Sequence, residues 1–402
     1  MTVRDKPPKR HSQALNDSRP LLTGEARPRY LVPNYDVFEA ALDRIRWLFE
    51  EFDGRVMVCN SGGKDSTVVL ELAAMVARER GEKLHVQWLD QETEFEATVD
   101  YQRYIMYERD DIEFHWYQIP FLLENSSNQT NPWLKVWDPE HPEEWVREKE
   151  PGSIQENVYG QVYFYDVLSA INSIDWDGCL LDGIRIEESP ARRLTCTTRP
   201  MYKWATWSVV DCAPQMVADK TKHRYRFHPI YDWRYWDVWK AIHDNGWKYN
   251  AHYDHMHRYG VKTSKMRVSN YHHESALASL LFLQEIEPQT WAAATRRLAG
   301  ISTYGHLGKE QYPTTLPYMF KSWNEYMVHL IENLAPPEAR PTFYNHYRRL
   351  KKACPWDSDD ELSRQVLNTV IGNDLYGTHI NNYIVTSRGR QHARVARGEV
   401  AG

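Results

Sequence analysis

The chain has 402 residues, enough for one large domain with additions or for two domains. With 42% hydrophobic and 26% charged residues and a formal net charge of −6, it excludes a globally basic nucleic-acid coat but not a local basic patch. No apolar run is long enough to cross a bilayer, and the start, MTVRDKPPKRHSQ, lacks the apolar core of a secretory signal, so a membrane span is excluded and a cytoplasmic location is expected.

Residues 1–30 hold four prolines among scattered Lys and Arg and read as a disordered basic tail. Phe38, Leu42, Ile45, Leu48 and Phe49 then recur at helical spacing. Arg55–Cys59 reads as a buried strand. A glycine-rich turn and a helix ending at Gly81 follow, with a second strand at Leu84–Leu89. Helix is predicted from Phe95 to Tyr107, strand over Ile112–Ile119, helix from Val158 to Ile174, and a short strand over Gly178–Leu181. This alternation predicts an α/β fold, a doubly wound and mostly parallel sheet. Beyond about Val261 the signals turn helical: Ser275–Phe282, Pro288–Leu298, Lys321–Leu334, Phe343–Lys352 and Asp359–Ile371. The expected organisation is a nucleotide-binding domain over 31–260, a helical region over 261–386 and a flexible tail over 387–402. The 16 Trp and 25 Tyr read as core and subdomain seams, with base or adenine stacking as the alternative.

Ser61-Gly62-Gly63-Lys64-Asp65-Ser66 sits between the first buried strand and a helix. Gly62 and Gly63 let an anion approach the backbone, and the helix amides and dipole favour it there. Ser61 and Ser66 supply hydroxyls, and Lys64 a charge. Asp65 holds Mg²⁺ or caps the helix. The spacing is not that of a Walker loop.

This SGGKDS segment resembles the pyrophosphate-binding loop of the PP-loop superfamily. That superfamily includes the ATP pyrophosphatases and the phosphoadenosine phosphosulfate (PAPS) reductases. The stretch Asp90-Gln91-Glu92-Thr93-Glu94-Phe95 resembles the family segment flanking the nucleotide pocket, which implies nucleotide contacts for Asp90 and Glu92. Asp182-Gly183-Ile184-Arg185, with Glu188, Arg192 and Arg193, resembles the family's G-[IV]-R-x-x-E-S-x-x-R. A guanidinium fork there suits phosphate or sulfate oxygens, and Glu188 can instead orient the arginines. The likeness implies catalytic roles for Lys64, Asp65 and Arg185 and contacts to ATP or PAPS, with Mg²⁺, from Gly183, Glu188, Arg192 and Arg193. His228-Pro229-Ile230-Tyr231-Asp232-Trp233 resembles a family segment read as structural. Trp247–Asp254 continues that family resemblance, while Tyr253–His257, Lys265–Val268, Trp137-Asp138, Ile286–Trp291 and Lys321–Trp323 resemble the immunoglobulin-binding regulator A-like subfamily. That likeness implies a ParB-like/sulfiredoxin-fold protein partner, a homodimer and a phage or mobile-element setting.

The pattern departs from the reductases in its cysteines. Cys59, Cys179, Cys196, Cys212 and Cys354 show neither C-x-x-C spacing nor the reductases' Glu-Cys-Gly context, so no disulfide scaffold and no iron–sulfur cluster is expected. Cys196, close to Arg192 and Arg193, is the candidate thiol; its alternative is a structural cysteine. His252, His255 and His257 beside Asp254, and His272-His273-Glu274, do not carry zinc spacing, so no zinc is expected. Three functions fit: adenylyl, pyrophosphate or sulfur-group transfer; nucleotide sensing without turnover; or a DNA sulfur-modification component with DNA contact.

Overall fold

Short apolar runs alternating with helices build a six-stranded sheet in a computed structural model, which describes residues 36–397 apart from 126, 129–132, 175, 190–191, 194–195, 197–200, 204, 213–222, 264–265, 269, 273–276 and 303–311. The expected tail over 1–30 lies outside the described residues, as do 398–402 and Lys265. Helix α1 (Val37–Glu51) starts at Asp36, whose carboxylate accepts from the Glu39 amide at 3.0 Å. Strand β1 (Val56–Cys59) leads into α2 (Lys64–Arg80), which stops at Gly81 with φ 71°. Then come β2 (Leu84–Leu89), α3 (Glu96–Glu108), β3 (Ile112–Tyr117), β4 (Phe121–Glu124), β5 (Trp133–Val136), α4 (Phe164–Ile174), β6 (Cys179–Leu181), β7 (Ser208–Cys212), β8 (His223–Phe227) and α5 (Tyr235–Asn245). Among the described residues, the helices that follow are α6 (His252–Arg258), α7 (Leu277–Ile286), α8 (Pro288–Arg297), α9 (Trp323–Asn333), α10 (Arg340–Ala353), α11 (Asp359–Ile371) and α12 (Thr378–Ala396).

The sheet order is β3-β2-β1-β6-β8-β7. Five strands run parallel: Val58 lies opposite Val86, Met57 opposite Leu180, Val86 opposite Phe114 and Leu180 opposite Arg226. Strand β7 is antiparallel, with Val209 opposite Arg226. The chain winds from β1 to β2 and β3 on one side and continues through β6 and β8 on the other. The carboxyl ends of β1 and β6 therefore meet at the switch of winding direction, where open α/β sheets bind ligands. This is the expected doubly wound, mostly parallel sheet.

Two compact units divide the chain. The first takes residues up to 90, 96–121 and 149–254; the second takes 91–95, 122–148 and 255 onward. The sequence suggests a boundary near 260 and no early segments in the second unit. Those segments have partners of their own there: Trp137 N donates to Glu92 at 2.6 Å, and Tyr376 N donates to Glu124 at 2.6 Å. The core of the first unit gathers Ile45, Leu48, Val58, Val69, Leu72, Val86, Leu181, Phe227 and Ile242. The second gathers Met327, Ile331, Phe343, Leu350, Val366, Leu367 and Ile380. Ser322 and Ser358 cap α9 and α11 by accepting from Glu325 N and Glu361 N. Trp116, Trp137, Trp207 and Trp233 are fully buried, so part of the aromatic excess is core.

Two expectations are corrected. Helix α4 begins at Phe164, not Val158, because Asn157 Nδ2 holds the preceding segment as a loop through Pro120 O and Gln161 O, at 2.8 and 2.9 Å. The tail expected from Ser387 is instead the continuation of α12, where Ile384 is buried and Ser387 Oγ accepts from Trp356 Nε1 at 2.8 Å.

The HPIYDW segment anchors α1. Arg44 is buried, and its guanidinium donates to both Asp232 oxygens at 2.8 and 2.6 Å and to Pro229 O at 2.7 Å. Trp233 Nε1 donates to Val37 O at 3.0 Å. This agrees with the structural reading of the segment.

Candidate functional site

The loop after β1 is shaped by close backbone packing. Gly62 has φ 72°, a left-handed angle that favours glycine, and a side chain there would press on Thr98 and Gln102. Asn60 Oδ1 accepts from Gly62 N at 3.1 Å, and Asn60 Nδ2 donates to Gln102 at 3.0 Å. From far along the chain, Asn250 Nδ2 donates to Gly62 O at 3.2 Å and to Thr98 Oγ1 at 2.8 Å. Ser66 Oγ donates to Gly63 O at 2.9 Å and lies 3.2 Å from Ser61 Oγ. All six loop residues thus lie in one turn leading into α2, whose first amides lack partners within the helix.

The charges converge just inside that turn. Lys64 Nζ donates to Asp65 Oδ2 at 2.8 Å, and Arg185 Nε donates to Asp65 Oδ1 at 2.6 Å. Arg185 is buried and also reaches Glu187 at 3.3 Å, Glu188 at 3.9 Å and Trp233 O at 3.4 Å. Lys64 Nζ lies 5.8 and 5.7 Å from the ring centres of Tyr235 and Tyr253, within cation–π range. The Tyr253 hydroxyl accepts from the Lys64 amide at 3.1 Å. Glu188 is buried deeply enough that burial, then the Asp65 charge, raises its carboxyl above the ordinary range, while Arg192 and Arg185 pull the other way.

Gly183 explains how the β6 loop meets this turn. A Cβ at Gly183 would lie 2.7 Å from Asp65 C and 2.8 Å from Ser66 N. Both contacts are backbone, so neither can swing aside. Gly183→Ala is expected to weaken nucleotide binding about tenfold, since overpacking costs roughly 1–3 kcal/mol and 1.4 kcal/mol is tenfold. Equilibrium titration with ATP checks it. Gly389→Ala, where the new methyl meets open space, is the control expected to leave binding unchanged.

Other expected residues are placed differently. Asp90 is fully buried at the end of β2 and accepts from Trp116 Nε1 at 2.8 Å and Gln118 Nε2 at 2.9 Å. Glu92 belongs to the second unit, with φ 65°; its carboxylate accepts from Arg297 Nε at 2.9 Å and from the Trp137 amide. Arg192 and Arg193 are exposed, and Arg192 reaches Glu188 at 3.4 Å. The expectation that Asp65 caps the helix is corrected. The N-cap is Gly63, without a side-chain cap. Both Asp65 oxygens instead accept from Lys64 and Arg185.

Four features escaped the sequence reading. Tyr253 and Asn250 come from segments quoted only for their resemblance, Tyr235 lies just beyond another, and topology brings all three to the loop. The fourth is Asp182 with His228, at the carboxyl ends of β6 and β8, where His228 Nδ1 meets Asp182 Oδ1 at 2.5 Å. Burial opposes ionisation of Asp182, but His228 and Arg226 outweigh it and hold the carboxyl below its ordinary range. His228 Nε2 is buried without a hydrogen-bond partner.

The described thiols are not primed. Burial pushes Cys59 up to about 11 and Cys196 up to about 12, and raises Cys179 and Cys354 as well. A thiolate is the reactive form, so iodoacetamide at pH 7.5 is expected to modify these four slowly in the native chain and quickly after denaturation. Mass mapping of the alkylated peptides reads this out; prompt native labelling of Cys196 would contradict it.

A family model described as "Phosphoadenosine phosphosulfate reductase domain" matches residues 55–260, just over half of the chain. The chain belongs to this family. It is accordingly a nucleotide-binding PP-loop protein. A second model, "Domain of unknown function (DUF3440)", matches residues 260–382 of this PAPS reductase-domain protein. "Uncharacterized protein YbdN" of Escherichia coli (strain K12) is 28% identical over 328 residues, 78% of either chain. Among solved structures, phosphoadenylyl-sulfate reductase from Candida auris, as a phosphate complex, aligns at 10% identity with a TM-score of 0.33, covering 58% of this chain and 89% of that one. Candida glabrata FMN adenylyltransferase, with FAD and inorganic pyrophosphate, aligns at 12% identity with a TM-score of 0.30, covering 61% and 69%. No described helix is long and apolar enough to cross a membrane.

Proposed function

We propose that this chain binds ATP through Ser61–Ser66 and transfers its adenylyl group. The observation that carries the reading is the convergence of Lys64 and Arg185 on Asp65 at the β1–β6 switch. A phosphate group entering the turn takes the place of the Asp65 carboxylate on these two cations. An acceptor oxygen then attacks the α-phosphorus. The bond from that phosphorus to the bridging oxygen breaks, and its electron pair leaves with pyrophosphate. Lys64 and Arg185 stabilise the charge that builds on the leaving group, and the loop amides orient it. The Tyr235 and Tyr253 rings flank Lys64 and limit access of water to it.

The thiols favour ATP over self-contained PAPS reduction. A reductase thiol must ionise near neutral pH to attack sulfur, whereas Cys59, Cys179, Cys196 and Cys354 are all held protonated by burial. PAPS chemistry on this loop would need a thiol from a partner, such as the ParB-like/sulfiredoxin-fold protein that the subfamily resemblance implies.

Product analysis tests the reading. The full chain is incubated with a magnesium salt and either ATP or PAPS, and the products are separated by chromatography. Pyrophosphate release from ATP is the expected result. Adenosine bisphosphate and sulfite from PAPS with an added thiol would overturn the choice of nucleotide. Binding without consumption of either would overturn turnover and leave a sensor.

A further inference from the structure

The edge of the sheet remote from the phosphate loop holds a second constellation. Strands β2 and β3 pair in parallel, with His85 opposite Glu113 and Gln87 opposite His115. Alternate residues of a strand share a face, so His85, Glu113 and His115 project from the same side of the sheet. His85 and Glu113 are the second residues of their strands and His115 lies mid-strand in β3, whereas Lys64 follows the carboxyl end of β1.

Their donor atoms are close and mutually directed. His85 Nδ1 lies 3.3 Å from His115 Nε2. The Glu113 carboxylate spans both rings, with Oε2 3.7 Å from His85 Nδ1 and Oε1 3.8 Å from His115 Nε2. One donor atom from each residue falls within 4.8 Å of the others. A tetrahedral ion with bonds of about 2.0–2.1 Å sets its ligand atoms roughly 3.3 Å apart, so the His–His spacing already matches one edge and a small rotation of Glu113 supplies the others. A proton shared between the two imidazoles would account for the 3.3 Å contact. It would not call for a carboxylate oxygen at each of the same two nitrogens. Trp176 packs on the His85 ring at 5.0 Å and limits its rotation.

We propose that His85, Glu113 and His115 form a binding site for a divalent transition metal of the zinc class. Two imidazoles and one carboxylate suit zinc and its neighbours better than magnesium or calcium, which prefer all-oxygen sets. The side chains are partly exposed, at 30%, 55% and 26%, so a fourth position opens to water. The bound ion ties the edge strand β3 to β2 through their side chains, in addition to the ladder. The missing zinc spacing at His252–His257 and His272–Glu274 does not bear on these strands. The new set spans two strands 30 residues apart and has no local spacing to show.

Cobalt titration of the chelator-stripped full chain tests this, because tetrahedral cobalt has an intense visible spectrum. The expected result is one equivalent bound with that spectrum, displaced by zinc. His85→Gln and His115→Gln are each expected to weaken binding at least 100-fold, and Glu113→Gln about tenfold. The exposed Glu113 makes the last variant safe for folding, and metal-free melting temperatures matching the wild type check all three. Lys64→Ala is expected to bind cobalt normally, which separates this site from the nucleotide loop. An absent tetrahedral spectrum, or a cobalt affinity unchanged in all three variants, would overturn the proposal.

Discussion

Lys64→Ala is expected to weaken ATP binding by about 10- to 100-fold, the worth of one charge-assisted contact of roughly 1.5–3 kcal/mol. Turnover is expected to fall by about 100-fold or more, because a cation aimed at developing charge contributes more to the transition state than to binding. The fold should survive. Asp65 keeps its 2.6 Å bond from Arg185, and the Lys64 amide that donates to Tyr253 remains in the variant. Melting temperature should therefore move by only a few degrees. Lys64→Arg is not expected to restore function. The amine sits between two tyrosine rings, each under 6 Å away, and a planar guanidinium is larger and differently shaped. Titration calorimetry and pyrophosphate release measure the two effects. Binding equal to wild type in Lys64→Ala would show that the loop does not hold the nucleotide.

Asp232→Ala is expected to destabilise the first unit by about 3–5 kcal/mol, the usual result of leaving a buried charge without its partner. Arg44 would lose both Asp232 oxygens and keep its bond to Pro229 O. For a unit of this size the loss corresponds to a melting shift of roughly 6–20 °C. Replacing both partners, as Arg44→Met with Asp232→Leu, is expected to cost much less, because no charge stays buried. Urea unfolding of the two variants checks the contrast. A loss under about 1 kcal/mol for Asp232→Ala would mean that water reaches Arg44.

The parts of this molecule legible in the sequence are those that neighbours in the chain specify. The strand–glycine–helix order around Ser61–Ser66 carries its own geometry, and Gly81 and Gly246 announce helix ends by the left-handed angles they adopt. Strands β4, β5 and β7 are short and sit in a two-stranded pair or at an edge, so their apolar patterns are weak. Asp90 does lie at a strand end, as its sequence context suggests. Its carboxylate, however, serves Trp116 and Gln118, an arrangement fixed by pairing with β3. Glu92 illustrates a different limit: its resemblance to a pocket segment does not reveal Arg297, which donates to it from 205 residues away. Tyr253 meets Lys64 across 189 residues, and no local pattern singles it out from the other tyrosines.

The central claim is that this turn holds an adenine nucleotide. Equilibrium binding of ATP to the full-length wild type and to Arg185→Ala tests it most directly. Arg185 enters from a different loop, and its removal leaves the Ser61–Ser66 backbone intact. The account predicts saturable 1:1 binding for the wild type and at least tenfold weaker binding for Arg185→Ala. Absence of saturable binding, or equal affinity in the two proteins, would contradict it.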